Sequence, residues 1–194
     1  MKEEYWTQRY EQGATGWDVG EITQPLRTYF DQLTDKNSKI LIPGSGNAHE
    51  AAYLHQQGFT DVFVLDISDY PLYRFQQQYP DFPPQHILHQ DFFAHQASYD
   101  LIVEQTFFCA LPPTRRPDYA EKMHELLNVG GRLAGVLFDD PLYPDHPPYG
   151  GSREEYLSYF TSYFEIQTFD PCYNSIPPRQ GRELFIRLVK KDVG

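Results

Sequence analysis

The chain has 194 residues, 40% of them hydrophobic and 16% aromatic, which suits one folded domain with its own core and excludes a disordered chain. Net charge is −11 and no basic cluster exceeds Arg115-Arg116 or Lys190-Lys191, so nucleic acid is a poor partner and a small molecule a better one. Two distant cysteines (Cys109 and Cys172), a polar start at Met1-Lys2-Glu3-Glu4-Tyr5 and no apolar run of ~18 residues predict a cytoplasmic protein without disulfide framework, signal peptide or membrane span.

Residues 1 to 37 are polar and aromatic, broken by Gly13, Gly16 and Gly20. Trp6 and Tyr10 are four apart and so share a helix face. Lys39 to Pro43 reads as a buried strand, followed at once by Gly44-Ser45-Gly46. Asn47 is placed to cap a helix over Ala48 to Gln57, which Gly58 ends. Val62 to Leu65 is a second strand stopping at Asp66, and Ser68 or Asp69 caps a helix that ends near Tyr79-Pro80. A weak third strand, His86 to His89, leads to Asp91, and a fourth, Tyr99 to Val103, leads to Glu104-Gln105. Asp118 to Leu127 is helical and stopped by Gly130-Gly131. Arg132 to Phe138 is the fifth strand, and a Pro- and Gly-rich loop from Pro141 to Gly151 carries Tyr143 and Tyr149. Glu154 to Tyr163 is helical; Glu165 to Phe169 and Glu183 to Val189 are the last strands, with Asn174, Pro177, Pro178 and Arg179 in the loop between them.

Strands alternating with helices predict an α/β fold: a doubly wound, mostly parallel seven-stranded sheet, Rossmann-like, with an antiparallel edge strand from the final pair. Residues 1–194 read as a single domain, and the sequence leaves oligomeric state open, a monomer being compatible with it.

In such a sheet ligands bind beyond the carboxyl ends of the strands. Here those ends deliver the glycine turn, Asp66, Asp91 and Glu104 in succession. Asp66 lies 22 residues after Gly44, a spacing that suits a carboxylate accepting both ribose hydroxyls. Asp91 is placed for an adenine amino group, and Glu104 or Gln105 for an amino-acid end. Each residue alone has a plain structural reading, as a loop glycine, a helix cap or a surface acid; their joint placement favours a nucleoside site. A dinucleotide site wants GxGxxG, but position 49 is His49, and this counts against NAD or FAD. S-adenosylmethionine carries no phosphate and tolerates this turn.

The chain resembles the thiopurine S-methyltransferase superfamily, particularly its thiol and halide methyltransferase branch. The residues that carry the resemblance are Trp6, Trp17-Asp18-Val19-Gly20, Pro25, Leu41 to Gly46, Leu65 to Ser68, Asp91-Phe92-Phe93, Tyr99 to Ile102 and Phe107 to Pro113, with Arg116-Pro117, Tyr119-Ala120, Gly130-Gly131 and Pro147-Pro148-Tyr149. It implies a class I methyltransferase fold, S-adenosylmethionine as cofactor and S-adenosylhomocysteine as its product. It further implies that Trp6, Tyr10 and Trp17, in an N-terminal lid segment within residues 1–37, close over the cofactor. Gly44, Gly46, Asp66, Ile67, Asp91, Phe92 and Glu104 or Gln105 would hold it from the sheet. The branch often has tryptophan where Tyr10 stands, and an aspartate–tyrosine pair where Glu104-Gln105 stand, so the acid is retained in kind and the tyrosine contact is lost.

A sulfonium methyl is already activated, so a thiol, thiopurine or halide acceptor needs positioning more than a strong base, and no base motif is visible. Tyr143, Tyr149 and Arg179, in the loops after late strands, are candidates to position the acceptor, with Phe107 and Phe108 as its apolar wall; core packing and a solvated charge are the plain alternatives. Cys109 reads as a core cysteine, and the seven histidines show no metal-binding spacing. Two other functions fit the same fold: a non-catalytic S-adenosylmethionine binder that regulates a partner, and a nucleotide-dependent oxidoreductase, which His49 disfavours.

Overall fold

The computed structural model describes residues 2–193. Seven strands, β1 (Ile40–Pro43), β2 (Val62–Asp66), β3 (Ile87–His89), β4 (Tyr99–Gln105), β5 (Leu127–Phe138), β6 (Phe164–Pro171) and β7 (Glu183–Lys190), form one sheet in the order β3-β2-β1-β4-β5-β7-β6. β1 to β5 are mutually parallel, and β7 runs antiparallel to both β5 and β6. The final pair is antiparallel, as the missing helical spacer predicts, but β6 takes the edge and β7 sits one place in.

The helices are α1 (Glu3–Glu11), α2 (Gln24–Phe30), α3 (His49–Gln56), α4 (Asp69–Gln78), α5 (Arg116–Glu125) and α6 (Arg153–Phe160). Side chains alternate across a strand, so each strand feeds both faces. Ile40, Ile42, Val64, Leu101 and Val103 pack with Leu26, Phe30, Ala51, Leu54, Leu72 and Phe75 of α2, α3 and α4. On the other face Leu41, Leu65, Ile102 and Leu133 pack with Tyr119, Met123, Tyr156 and Phe160 of α5 and α6. This double burial is why β1 reads as an unbroken apolar run. None of the helices among the described residues is long and apolar enough to cross a membrane.

Several boundaries differ from the sequence expectation. Asn47 does not cap α3: the cap position is Ala48, in left-handed backbone, and the Asn47 amide is engaged by Asp18 instead. α5 begins at Arg116 with Pro117 in its first turn and ends at Glu125, before Gly130-Gly131, which lie inside a longer β5. Ser68 is the α4 cap residue, yet its hydroxyl pairs with Thr7 and not with its own helix. The first 37 residues divide in two, since only the stretch to about Gly20 lies outside the core while α2 packs into it.

Candidate active site

The β1 exit is a turn that requires glycine. Gly44 and Gly46 have φ of +58° and +52°, which L side chains resist. A Cβ on Gly44 would lie 2.3 Å from Cδ2 of Phe107, and one on Gly46 would lie 2.6 Å from the Tyr10 hydroxyl. The turn is pinned by Asp66 at the end of β2: its Oδ2 accepts the Gly46 N–H at 2.8 Å and its Oδ1 accepts the Ser68 N–H at 2.9 Å. Burial pushes the Asp66 carboxyl above its ordinary range, and these N–H donors partly offset it. Each carboxylate oxygen keeps a second lone pair, so the group can still accept a diol. Two non-glycine residues, Ala48 and Thr106, also have φ of +56°, one after each of the adjacent central strands β1 and β4. Such strain costs about 1–3 kcal/mol apiece and gathers where a site is built.

α1 crosses the exits of β2 and β3. The Thr7 and Ser68 hydroxyls pair at 2.7 Å, and Glu3 meets His89 at 3.0 Å. Trp17 stands edge-on to Trp6 at 5.6 Å and to Tyr10 at 5.7 Å, so the three rings make one aromatic cluster. Asp18 ties this segment to the glycine turn, accepting from Asn47, from His49 at 2.8 Å and from the Gly20 N–H at 2.7 Å. Burial opposes the Asp18 charge, but His49, Asn47 and Gly20 together outweigh it and hold the carboxyl at about 2. The hydrogen bond that His49 donates to Asp18 raises the His49 pKa in return, against burial. A second tie comes from the β6–β7 loop, where Arg179 donates to the Trp17 carbonyl at 2.9 Å.

Beyond β3, Asp91 Oδ1 accepts the Phe93 N–H at 2.9 Å and so opens a short 3-10 turn, Phe92–Ala94. Near the end of β4, Glu104 supports the turn that follows the strand. Its Oε1 accepts the Phe107 and Phe108 N–H groups at 2.8 and 3.0 Å, and the Tyr119 hydroxyl donates to Oε2. Glu104 is fully buried, and burial outweighs these donors to lift its carboxyl to about 7. Burial, with Glu104 nearby, pushes the Cys109 thiol up to about 12, which suits a core cysteine and not a nucleophile.

One cleft over the strand ends brings together Trp6, Tyr10, Trp17, Gly44, Asp66, Ile67, Asp91, Phe92 and Phe107. Gly46, Gln105 and Arg179 line a smaller cleft that shares Gly44, Trp17 and Thr106 with it. Gln105 accepts the Thr23 hydroxyl at 3.0 Å, and Arg179 lies 4.0 Å from Glu183. Glu104 lines neither, because its carboxylate is fully engaged in supporting the Phe107 turn. Tyr143 is half exposed and stacks on His146 at 4.2 Å, away from both clefts. Tyr149 is buried beside the cleft, with its N–H donated to the Cys109 carbonyl at 2.7 Å, and the lining there is Pro147 and Pro148. Sequence reasoning missed Arg9, Phe93, Leu111, Pro112 and Arg115, which line the main cleft. Arg9 had a signal: it is three residues after Trp6, on the same helix face.

A parallel sheet that ends in an antiparallel pair, with a glycine turn and acids at successive strand ends, is the architecture of the S-adenosylmethionine-dependent methyltransferases. A magnesium protoporphyrin IX methyltransferase from Synechocystis superposes with a TM-score of 0.76 at 14% identity, covering 97% of this chain and 98% of that one. A TehB-like methyltransferase from Corynebacterium glutamicum gives 0.68 at 21% identity, covering 97% and 98%. Within that class the chain belongs to the thiopurine S-methyltransferase family, whose model matches residues 1–191. A protein of Arabidopsis thaliana named as a thiol methyltransferase is 30% identical over 191 residues, 95% of this chain and 84% of that protein. Thiocyanate methyltransferase 1 of Brassica oleracea is 28% identical over 197 residues, 98% of this chain and 86% of that protein. The chain is thus an S-adenosylmethionine-dependent enzyme acting on a small molecule.

Proposed function

We propose that this enzyme methylates a soft nucleophile, a thiol, thiopurine or halide. The observation that carries the reading is the composition of the cleft beyond β4 and β5, where Phe107, Ala110, Leu111, Pro112, Pro147 and Pro148 form an apolar wall. None of the seven histidines lines this cleft, and its two carboxylates stand at the β2 and β3 exits. A wall that offers no proton acceptor calls for an acceptor that arrives as an anion or with a low pKa, and shedding its water leaves that anion more reactive. The names of the relatives, thiol and thiocyanate methyltransferases, agree with it.

The donor set suits S-adenosylmethionine, which supplies an activated methyl group when bound. Asp66 is the residue to accept the ribose hydroxyls, with Gly44 and Ile67 beside it, and Asp91 and Phe92 bound the adenine end. Trp6, Tyr10 and Trp17 roof the sulfonium, whose diffuse positive charge suits aromatic faces. To Gly46, Gln105 and Arg179, which line the adjoining cleft, we assign the amino-acid end. Glu104 acts through the turn it supports and sets the position of Phe107. The segment to Gly20 serves as a lid, tied down by Glu3, Thr7 and Asp18 from its own side and by Arg179 from the β6–β7 loop. A methyl-transfer panel of sulfide, thiophenols, thiopurines and iodide, read as product formed per enzyme, tests the acceptor. Turnover confined to alcohols or amines would refute the reading.

A further inference from the structure

The main cleft of this strongly acidic protein contains two arginines, from opposite parts of the chain. Arg9 comes from α1, and Arg115 closes the 3-10 turn Pro113–Arg115. The Arg9 guanidinium lies over the Tyr5 and Trp17 rings at 5.5 and 5.7 Å. Its buried Nε has no hydrogen-bond partner, and among the described residues no carboxylate lies within ion-pair distance of it. A buried donor without a protein acceptor is costly unless water or a ligand supplies one, and this one belongs to a side chain that lines the cleft. The Arg115 guanidinium lies over the Phe93 ring at 3.9 Å, and its ion pair with Asp118 runs through Nε at 2.8 Å. That pair does not engage the N–H groups of its terminal nitrogens, and a guanidinium fork matches a carboxylate. Neither acid of the cleft pairs with these cations: Asp66 and Asp91 accept backbone N–H groups at the strand ends.

We infer that Arg9 and Arg115 form an anion subsite that takes a carboxylate carried by the methyl acceptor, remote from its sulfur. The inference rests on the thiol reading above and narrows it: an acceptor with an apolar, ring-sized body, a thiol at one end and a carboxylate at the other.

The test pairs 4-mercaptobenzoate with 4-methylthiophenol, which share the ring and the thiol and differ in the charged group. Both are assayed at a pH where each is a thiolate. The wild-type enzyme should favour the acid in kcat/KM by roughly tenfold or more, the worth of one charge-assisted hydrogen bond. Arg9→Gln and Arg115→Gln should each shrink that ratio, and the lysine variants should restore part of it. Calorimetry on protein saturated with S-adenosylhomocysteine should rank binding of the two thiols in the same order. Three results overturn the subsite: no wild-type preference for the acid, a preference that survives both glutamine variants, or a loss of S-adenosylhomocysteine affinity in those variants that accounts for the whole effect. If neither thiol is methylated, the thiol reading fails, and calorimetry alone decides the subsite: tighter binding of the acid, lost in the variants, upholds it and equal binding ends it.

Discussion

Asp66 is the residue on which two tasks meet. Its carboxylate holds the glycine turn and the start of α4 through two backbone N–H groups, and the same oxygens are those proposed to receive the ribose. Replacing it with alanine would leave both N–H groups without their acceptor and confuse folding with binding. Asp66→Asn keeps the shape and one acceptor oxygen, while its amide opposes one of the two donors. The expected outcome is a lower thermal midpoint together with a loss of roughly 2 to 4 kcal/mol in S-adenosylhomocysteine affinity, because hydrogen bonds to a charged acceptor are at stake. Calorimetry well below the midpoint separates the two effects. Unchanged affinity in a destabilised variant would leave Asp66 as a structural pin and nothing more. The sequence alone made this acid legible, because its distance from the glycine turn is set by one helix and one strand. It could not make Phe107 legible as the ring lying against Gly44, because that contact depends on a turn held from below by Glu104.

The N-terminal segment is the element with the most to test. Among the described residues 2–20 only Tyr10 belongs to the buried hydrophobic set, and the core begins again at Ile22. Removing residues 1–20 should therefore leave the sheet folded while S-adenosylhomocysteine affinity falls. Both tryptophans of the chain, Trp6 and Trp17, lie in this segment and line the cleft. Intrinsic tryptophan emission of the full chain should thus shift on addition of S-adenosylhomocysteine. Full affinity in the truncated protein would end the lid assignment. The strands and most helices were legible here because buried β1, β2 and β4 leave apolar runs punctuated by glycine and acid. α2 was not, since it spans only seven residues and the hydroxyl at its cap position, Thr23, is spent on Gln105 and not on the helix. Asn47 misled for a physical reason: an asparagine can cap a helix or tie a distant loop, and only the fold brings Asp18 within its reach. Arg115 stayed hidden because its place in the cleft depends on a ring, Phe93, at another strand exit.

At the scale of the whole molecule, the buried acids set how stability responds to pH. Glu104 has its carboxyl at about 7, above its ordinary 4.5, so folding favours the neutral acid. Its contribution is complete below the ordinary value and is lost as pH rises through about 7. A gap of that size is worth roughly 3 kcal/mol. Glu50, Asp66 and Glu183 are raised by burial in the same sense. His49 adds to it, since its charged pairing with Asp18 is present at acid pH and fades as pH climbs past its raised pKa. His95 opposes: burial lowers its pKa, so its share is present above the ordinary 6.5 and lost as pH falls. Asp18 is lowered, so its share is fully present above the ordinary 3.8 and is lost only as pH falls through about 2, which leaves it constant over this range. The balance predicts a higher unfolding midpoint at about pH 6 than at about pH 8, a trend that self-repulsion at net charge −11 reinforces. Glu104→Gln separates the two causes. Its Oε1 can still accept from Phe107 and Phe108, and its amide can donate to the Tyr119 oxygen, so the turn is kept while the titration is removed. Charge repulsion hardly changes when one of 27 acids is lost. Denaturant unfolding of both proteins across this range should therefore show the wild type losing stability relative to the variant as pH rises, by about 1 to 3 kcal/mol. Parallel curves from about pH 5 to 8 would show that Glu104 titrates as an ordinary acid and that its burial does not govern the pH response.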